Sequence, residues 1–295
     1  MDKTDLDKEK RRILIQRVQD LPTLPSTIVR IIELVEDPTS TSNDLAEVIS
    51  KDQSISSVIL RLVNSAFYGH MRQVSSISHA VVILGYKTVQ TMALGVSIFH
   101  SSAGGKRSAF DRTGFWTHCI GVATISRKLL DRRKFRSGVD AETVFLSGLL
   151  HDLGKVVFDN YFNEEYARVV ETAKAEKAWV RDIEERVFEM DHAEAGYYLA
   201  RKWLFPSPVI SAIRCHHKPS DCEDDDVCKV TSAIVHIADH LCRKLGIGSG
   251  GDDAQVALDP NALSIADINE EDLAFVLEET EKSREMIESF ASDKK

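Results

Sequence analysis

Ten histidines stand in this chain of 295 residues, and their placing is uneven. His118, His151, His192, His216, His217, His236 and His240 all fall beyond the hundredth residue, with Asp152 directly after His151 and Asp239 directly before His240. Imidazole nitrogen and carboxylate oxygen are the ligands that divalent iron, manganese, nickel and zinc take in hydrolytic sites. A two-metal site needs roughly six to eight such groups, one of them a carboxylate able to bridge metals about 3.5–4 Å apart. The stretch from His118 to Asp239 holds enough of them and points to a metal-binding site centred on the pair His151–Asp152. A lone histidine on a helix is ordinarily exposed or hydrogen-bonded, so His70, His79 and His100 carry no chemistry in this reading. His236 and His240, on or near the face of Asp239, are candidates for supporting ligands rather than serving as them.

Positioning these groups falls to helices. Ser26 is a candidate N-cap for a helix whose apolar residues Ile28, Ile31, Ile32 and Val35 follow the 3.6-residue period, and Asp37-Pro38 stops it. Before it, the prolines of LPTLP (21–25) end a first charged helix over residues 1–20. Leu45, Val48 and Ile49 share the face of the next segment, and residues 54–68 and 78–99 read as helical, with breaks at Asn64, Gly69 and Gly85. Beyond residue 111 the periodicity predicts helices over 115–130, 142–157, 163–178, 181–203 (one or a pair), 208–217, 231–245 and the acidic stretch 265–292. An acidic loop at 220–227 and a flexible connection at 246–253 separate the last of them. No hairpin-bounded alternation suggests strands. The expected fold is all-α, with an N-terminal helical lobe over 1–105, a metal-binding helical lobe over 106–250 and an acidic helical tail over 251–295. The small, glycine-rich segment 101–111 marks the boundary between the lobes.

Composition narrows the setting. Hydrophobic residues at 43% and charged residues at 28% are the balance of a globular protein rather than a disordered one. Apolar runs are too short to span a bilayer, and the charged start MDKTDLDKEKRR has no signal segment behind it, so a cytoplasmic location is expected. Five cysteines without a CxxC pair read as reduced thiols and give no support to a zinc ribbon. A net charge of −9 shows no basic footprint, which disfavours direct nucleic-acid binding.

Several phrases are recognisable. LLHDLGK (149–155), preceded by His118, resembles the signature of the HD superfamily of metal-dependent phosphohydrolases. LPTLPSTIVRIIELVEDP, LAEVISKDQSISSVILRLVNSAFYG and ISHAVVILGYKTVQTMALGVSIF resemble, in the same order, the HDOD family. The likeness runs from about Leu21 to Leu245. It implies a helical HDOD domain with an HD-type metal-binding lobe, related to the HD-GYP phosphodiesterases, in a family many of whose members lack metal ligands and act as signalling modules. Carried over motif by motif, the ligand positions fall on His118, His151, Asp152, His192, His216, His217 and Asp239. His118, His151 and Asp239 would hold one divalent metal and His192, His216 and His217 a second, with Asp152 bridging. Two ions of iron, manganese, nickel or zinc are therefore expected, with Asp152 and Lys155 as the catalytic candidates. Four residues after His151, Lys155 would present its charge to a phosphate, and water activated by metal would be the nucleophile.

The resemblance also has a gap. After the paired histidines the HD-GYP enzymes carry a glycine-tyrosine-proline motif associated with cyclic-di-GMP turnover, whereas this chain reads HHKPSDCEDDDVC. Asp224, Asp225 and Asp226 would repel a phosphate if that loop faced the site, so cyclic-di-GMP hydrolysis is not expected. Two functions follow from the resemblance. One is a signalling protein that acts on a protein partner and carries a metal site. The other is a metal-dependent phosphohydrolase acting on a nucleotide or related phosphoester.

Overall fold

A computed structural model describes residues 15–16, 26–64, 73–100, 108, 111–133, 138–252, 254 and 257–291. Every regular element among them is helical, as the periodicity predicts, and none is long and apolar enough to cross a membrane. Leu21–Ser102 forms one compact unit, and Ala103–Lys295 lies in the other. Of the first helix expected over 1–20, only the helical Ile15 and Gln16 are described. The break at 21–25, Gly69, His70 and most of the boundary segment 101–111 lie outside the described residues.

Among the described residues the first unit holds five helices: Ser26–Glu36 (α1), Ser42–Ser50 (α2), Gln53–Val63 (α3), Ile77–Leu84 (α4) and Tyr86–His100 (α5). Thr41 and Asp44 close a capping box at the start of α2, and the Asp52 carboxylate accepts the Ile55 amide at the start of α3. The expected break at Asn64 has a clear cause. Its amide side chain donates to the carbonyls of Leu60 and Val74 and accepts from the Val74 amide, so it ends α3 and pins the returning chain. Gly85 separates α4 from α5 through its φ of +83°.

The second unit is built on Arg112–Arg132 (α6), Ala141–Leu150 (α7), Leu153–Tyr161 (α8), Asn163–Glu176 (α9), Val180–Phe188 (α10), His192–Lys202 (α11), Ser207–Cys215 (α12) and Asp226–Leu245 (α13). Asp111, Asp140, Asp191 and Asp225 cap α6, α7, α11 and α13 by accepting backbone amides. The helix expected over 142–157 is two helices, α7 and α8, interrupted by a turn at His151–Asp152. Apolar residues stand on both sides of that turn because both helices are buried almost all round, over residues 144–150 and 153–160. Helix α6 packs on α7 and α13, α12 on α7, α11 and α13, and α8 on α11. The last contact is very close: a Cβ added to Gly154 would lie 1.9 Å from the His192 carbonyl oxygen and 2.9 Å from the Gly196 amide. The acidic tail packs as Ala262–Ala266 (α14), Glu270–Lys282 (α15) and Arg284–Ala291 (α16), with α15 and α16 on α6 and α14 on α13. Val276 and Ile287 are fully buried there, Lys128 donates to the Glu279 carbonyl, and Arg132 pairs with Asp272.

Candidate metal centre

Helix packing brings all seven residues of the expected ligand set into one region of the second unit. His118 projects from within α6 and Asp239 from within α13, while the others sit at helix ends. His151 and Asp152 occupy the turn between α7 and α8, His192 is the first residue of α11, and His216–His217 follow the last turn of α12. The Gly154–Gly196 contact sets the start of α11 directly beside the His151–Asp152 turn.

Two groups of three result, each offering ligand atoms within 4.8 Å of one another: His118, His151 and Asp152, and His192, His216 and His217. Asp152 faces both. Its Oδ2 lies 3.3 Å from His151 Nε2, and its Oδ1 lies 3.0 Å from His192 Nε2 and 3.5 Å from His216 Nε2. Asp239 Oδ1 is 3.0 Å from His118 Nε2. His217 Nε2 approaches His192 Nε2 at 2.8 Å and turns its ring edge toward Trp179, with centroids 4.7 Å apart.

The outward nitrogens explain this orientation. His151 Nδ1 lies 2.8 Å from the Gly148 carbonyl and His216 Nδ1 lies 2.9 Å from the Ile213 carbonyl. A carbonyl only accepts, so each Nδ1 carries the proton and each neutral ring turns the Nε2 lone pair inward. The Nε2 atoms of His118, His151 and His216 and the Oδ1 of Asp152 are all buried with no properly directed hydrogen bond. Such groups are costly to leave unmatched in a protein interior. A divalent cation is the species that matches inward imidazole lone pairs and a carboxylate, and the donor set fits one.

Electrostatics divides the histidines. Burial, reinforced by His151 and His192, lowers the His216 pKa to about 4, against the pull of Asp152. Burial also lowers those of His217 and His118. At His192 burial again pushes down, but the carboxylates of Glu184 and Asp152 prevail and raise the pKa to about 9. Burial would raise the carboxyl pKa of Asp152, but His151, Lys155 and His192 hold it well below the usual range. Arg243 and His118 do the same for Asp239.

Several surrounding groups had no signal in the sequence. Glu184 is fully buried; its Oε2 lies 2.5 Å from His192 Nδ1 and accepts the His192 amide, while Tyr166 donates to its Oε1. Arg243 donates to Asp239 and to Asp252. His236 supports the site indirectly: its Nδ1 donates to the His216 carbonyl, and its Nε2 accepts the Asp259 amide. Lys155 differs from expectation. The turn after His151 places it on α8, where its buried ammonium donates to Asp152 Oδ2 and to the Gly250 carbonyl, each at 2.8 Å. The acidic loop is occupied locally: Asp224 accepts from Ser211, Asp225 caps α13, and Asp226 lies in its first turn. All five cysteines are free and buried. A cavity of about 520 Å³ lies alongside, lined by Arg181, Asp191, Tyr197 and Arg214 among others, but by none of the seven expected ligands.

Known proteins fit this architecture. A curated relative from Treponema pallidum (strain Nichols), itself uncharacterized, is 29% identical over 210 residues, covering 69% of this chain and 39% of its own length. The chain thus spans about two-fifths of that relative. The crystal structure of an HDOD domain protein of unknown function from Geobacter sulfurreducens aligns over 97% of this chain and 98% of its own, with a TM-score of 0.70 and 24% identity. A Shewanella amazonensis SB2B protein, provisionally named a phosphohydrolase, aligns over 94% of this chain and 96% of its own, with a TM-score of 0.66 and 24% identity. At that identity these two structures speak for the fold. The HDOD domain model matches residues 21–219, most of both units, and the chain belongs to the HDOD family.

Proposed function

We propose that this chain is a regulatory HDOD protein whose second unit carries a two-metal centre. His118, His151 and Asp239 hold one divalent ion, His192, His216 and His217 hold the other, and Asp152 bridges them. The observation that carries this reading is the Asp152 carboxylate, with one oxygen toward His151 and the other toward His192 and His216, amid buried nitrogens that lack partners. A purely structural hydrogen-bonded cluster would be expected to satisfy those atoms within the protein. Iron, manganese, nickel and zinc all suit the donor set. Elemental analysis of purified protein tests the reading. Close to two equivalents per chain are expected, and fewer than about half an equivalent after reloading overturns it.

In the regulatory role the centre ties the helices of the second unit together, and its state is passed to a protein partner through the helical surface. A second reading, hydrolysis of a nucleotide or related phosphoester, is favoured by the same bridging carboxylate, which is the arrangement that two-metal hydrolases use. Bound ions would supply Lewis acidity toward the phosphoester. The chain itself would contribute Asp152 to set their spacing and Lys155 to place positive charge beside it. A screen of metal-loaded protein against cyclic dinucleotides, nucleotides and simple phosphodiesters separates the two. Hydrolysis abolished together with metal content in His151→Ala and Asp152→Ala establishes the enzyme; metal loss without loss of any hydrolysis leaves the regulatory centre.

A further inference from the structure

The segment after α13, residues 246–252, reads Gly-Ile-Gly-Ser-Gly-Gly-Asp and looks in sequence like a loose connection. In the structure it is tied down along its length. Gly246 ends α13 with φ +65°, and Ile247 is buried behind it. Gly248, with φ +66°, lies so close to α6 that an added Cβ would meet the Gly114 carbonyl and the His118 amide at 2.3 Å. The Ser249 amide donates to the Gly114 carbonyl at 2.9 Å. Gly250 accepts the Lys155 ammonium, and Asp252 accepts Arg243 at 3.0 Å and the Val180 amide at 3.4 Å.

We infer that this strap is a latch on the centre, closed through Lys155 and Arg243. Each of these cations joins one carboxylate of the ligand set to one residue of the strap. Lys155 links Asp152 to Gly250, and Arg243 links Asp239 to Asp252. With the strap closed, the Lys155 charge is spent inside the protein and cannot meet a phosphate. Cations entering the centre draw on the same two carboxylates and repel the same two side chains, so metal occupancy and strap closure oppose each other. By reciprocity, a partner or ligand that lifts the strap strengthens metal binding, and one that holds it down weakens it. The glycines suit this motion: the strap can lie flat on α6 at His118 only where no Cβ intervenes.

The metal side of this inference rests on the two-metal reading above, so the test has one arm without metal. In metal-free protein, Lys155→Met should raise hydrogen exchange at the Ser249 amide about tenfold, as expected for loss of a charge-assisted hydrogen bond. Core amides of α8 report whether the variant is folded. In the second arm, Gly114→Cys with Ser249→Cys staples the strap to α6. A Cβ built on Gly114 lies 3.6 Å from the Ser249 Cβ, inside the disulfide range of about 3.5–4.5 Å, once the exposed Asp111 carboxylate swings aside. Oxidised by a small disulfide, this variant should take up Mn²⁺ about tenfold more slowly than the same protein reduced by a phosphine, since the closed strap must open first. Equal uptake in the two redox states overturns the latch, as does unchanged exchange at Ser249 in folded Lys155→Met. If wild-type protein takes up no metal, the two-metal reading falls, and the exchange arm alone decides whether Lys155 holds the strap.

Discussion

Asp152 Oδ1 stands 3.0 Å from His192 Nε2, joining the turn after α7 to the first residue of α11. With the Asp152 Oδ1–His216 Nε2 approach at 3.5 Å and the His151 and His216 rings 5.0 Å apart, it connects the two histidine groups. His118 and His151 share one group with Asp152, whose Oδ1 faces His192 and His216 of the other. The two groups of candidate ligands therefore adjoin one another at this carboxylate.

That arrangement predicts unequal consequences for the two aspartates. Asp152→Asn removes the shared anionic bridge and should reduce bound metal from near two equivalents to below about one. Asp239→Asn touches only the His118 side and should leave close to one equivalent. Elemental analysis of both variants after identical loading decides it. Equal retention in the two would show that Asp152 does not bridge.

Glu184 should act through His192. A carboxylate that holds the outer nitrogen of a ligating imidazole fixes its orientation, and its loss costs about 10–100-fold in metal affinity. Glu184→Gln keeps the shape while removing the charge that lies 2.5 Å from His192 Nδ1. Titration calorimetry should show the weakening at one of the two sites. Unchanged affinity at both would make Glu184 a packing residue only.

That the histidines gather with Asp152 was legible in the sequence because imidazoles are scarce and their motif is distinctive. The helical class was legible because apolar residues at 3.6-residue spacing must face a core. The interruption at His151–Asp152 was not, since GLLHDLGKVVF carries apolar residues on both sides of the turn and a hydrophobic period cannot register a change of direction. Glu184 was hidden for a related reason. An acid in the charged run RDIEERVFE reads as a solvated position, and only the tertiary approach of Tyr166 from α9 and His192 from α11 buries it. Arg243 and Asp252 likewise gained meaning only when the glycine-rich strap folded back on α6. Long-range contacts of this sort leave no local trace.

Metal-free protein should be most stable near pH 6.5. Folding raises the His192 pKa from 6.5 to about 9, because Glu184 and Asp152 outweigh the effect of burial. That contribution is fully present below pH 6.5 and is lost as pH rises through 9. Folding lowers the His216 pKa from 6.5 to about 4, chiefly through burial. The unfolded chain therefore binds a proton that the folded one refuses, and stability falls as pH drops from 6.5 to 4. Asp152 and Asp239, held below 3.8, add to the acid side: their contribution is present above 3.8 and lost as pH falls further. Thermal melts in chelator should show Tm declining by at least about 5 °C on each flank of the optimum. A Tm that is flat or rising from pH 6.5 to 9 would contradict the charged pairing of His192.

Gly154 should be intolerant of the smallest possible side chain, and the site should fail with it. The Cβ of an alanine there would lie 1.9 Å from the His192 carbonyl oxygen, 2.7 Å from its carbon and 2.9 Å from the Gly196 amide. All three are backbone atoms in packed helices, so no rotamer change can relieve the overlap. Helices α8 and α11 must separate, which carries His192 away from Asp152. Overpacking of this severity costs about 3 kcal/mol, a loss of roughly 6–12 °C in Tm for a unit of this size. Gly85→Ala makes the control: it meets nothing within 4 Å and bears only the strain of φ +83° in the other unit, so its metal content should be unchanged. Melting curves and metal content measured on both variants test the argument together. Gly154→Ala with wild-type Tm and two bound metals would show that the close crossing of α8 and α11 does not position the centre.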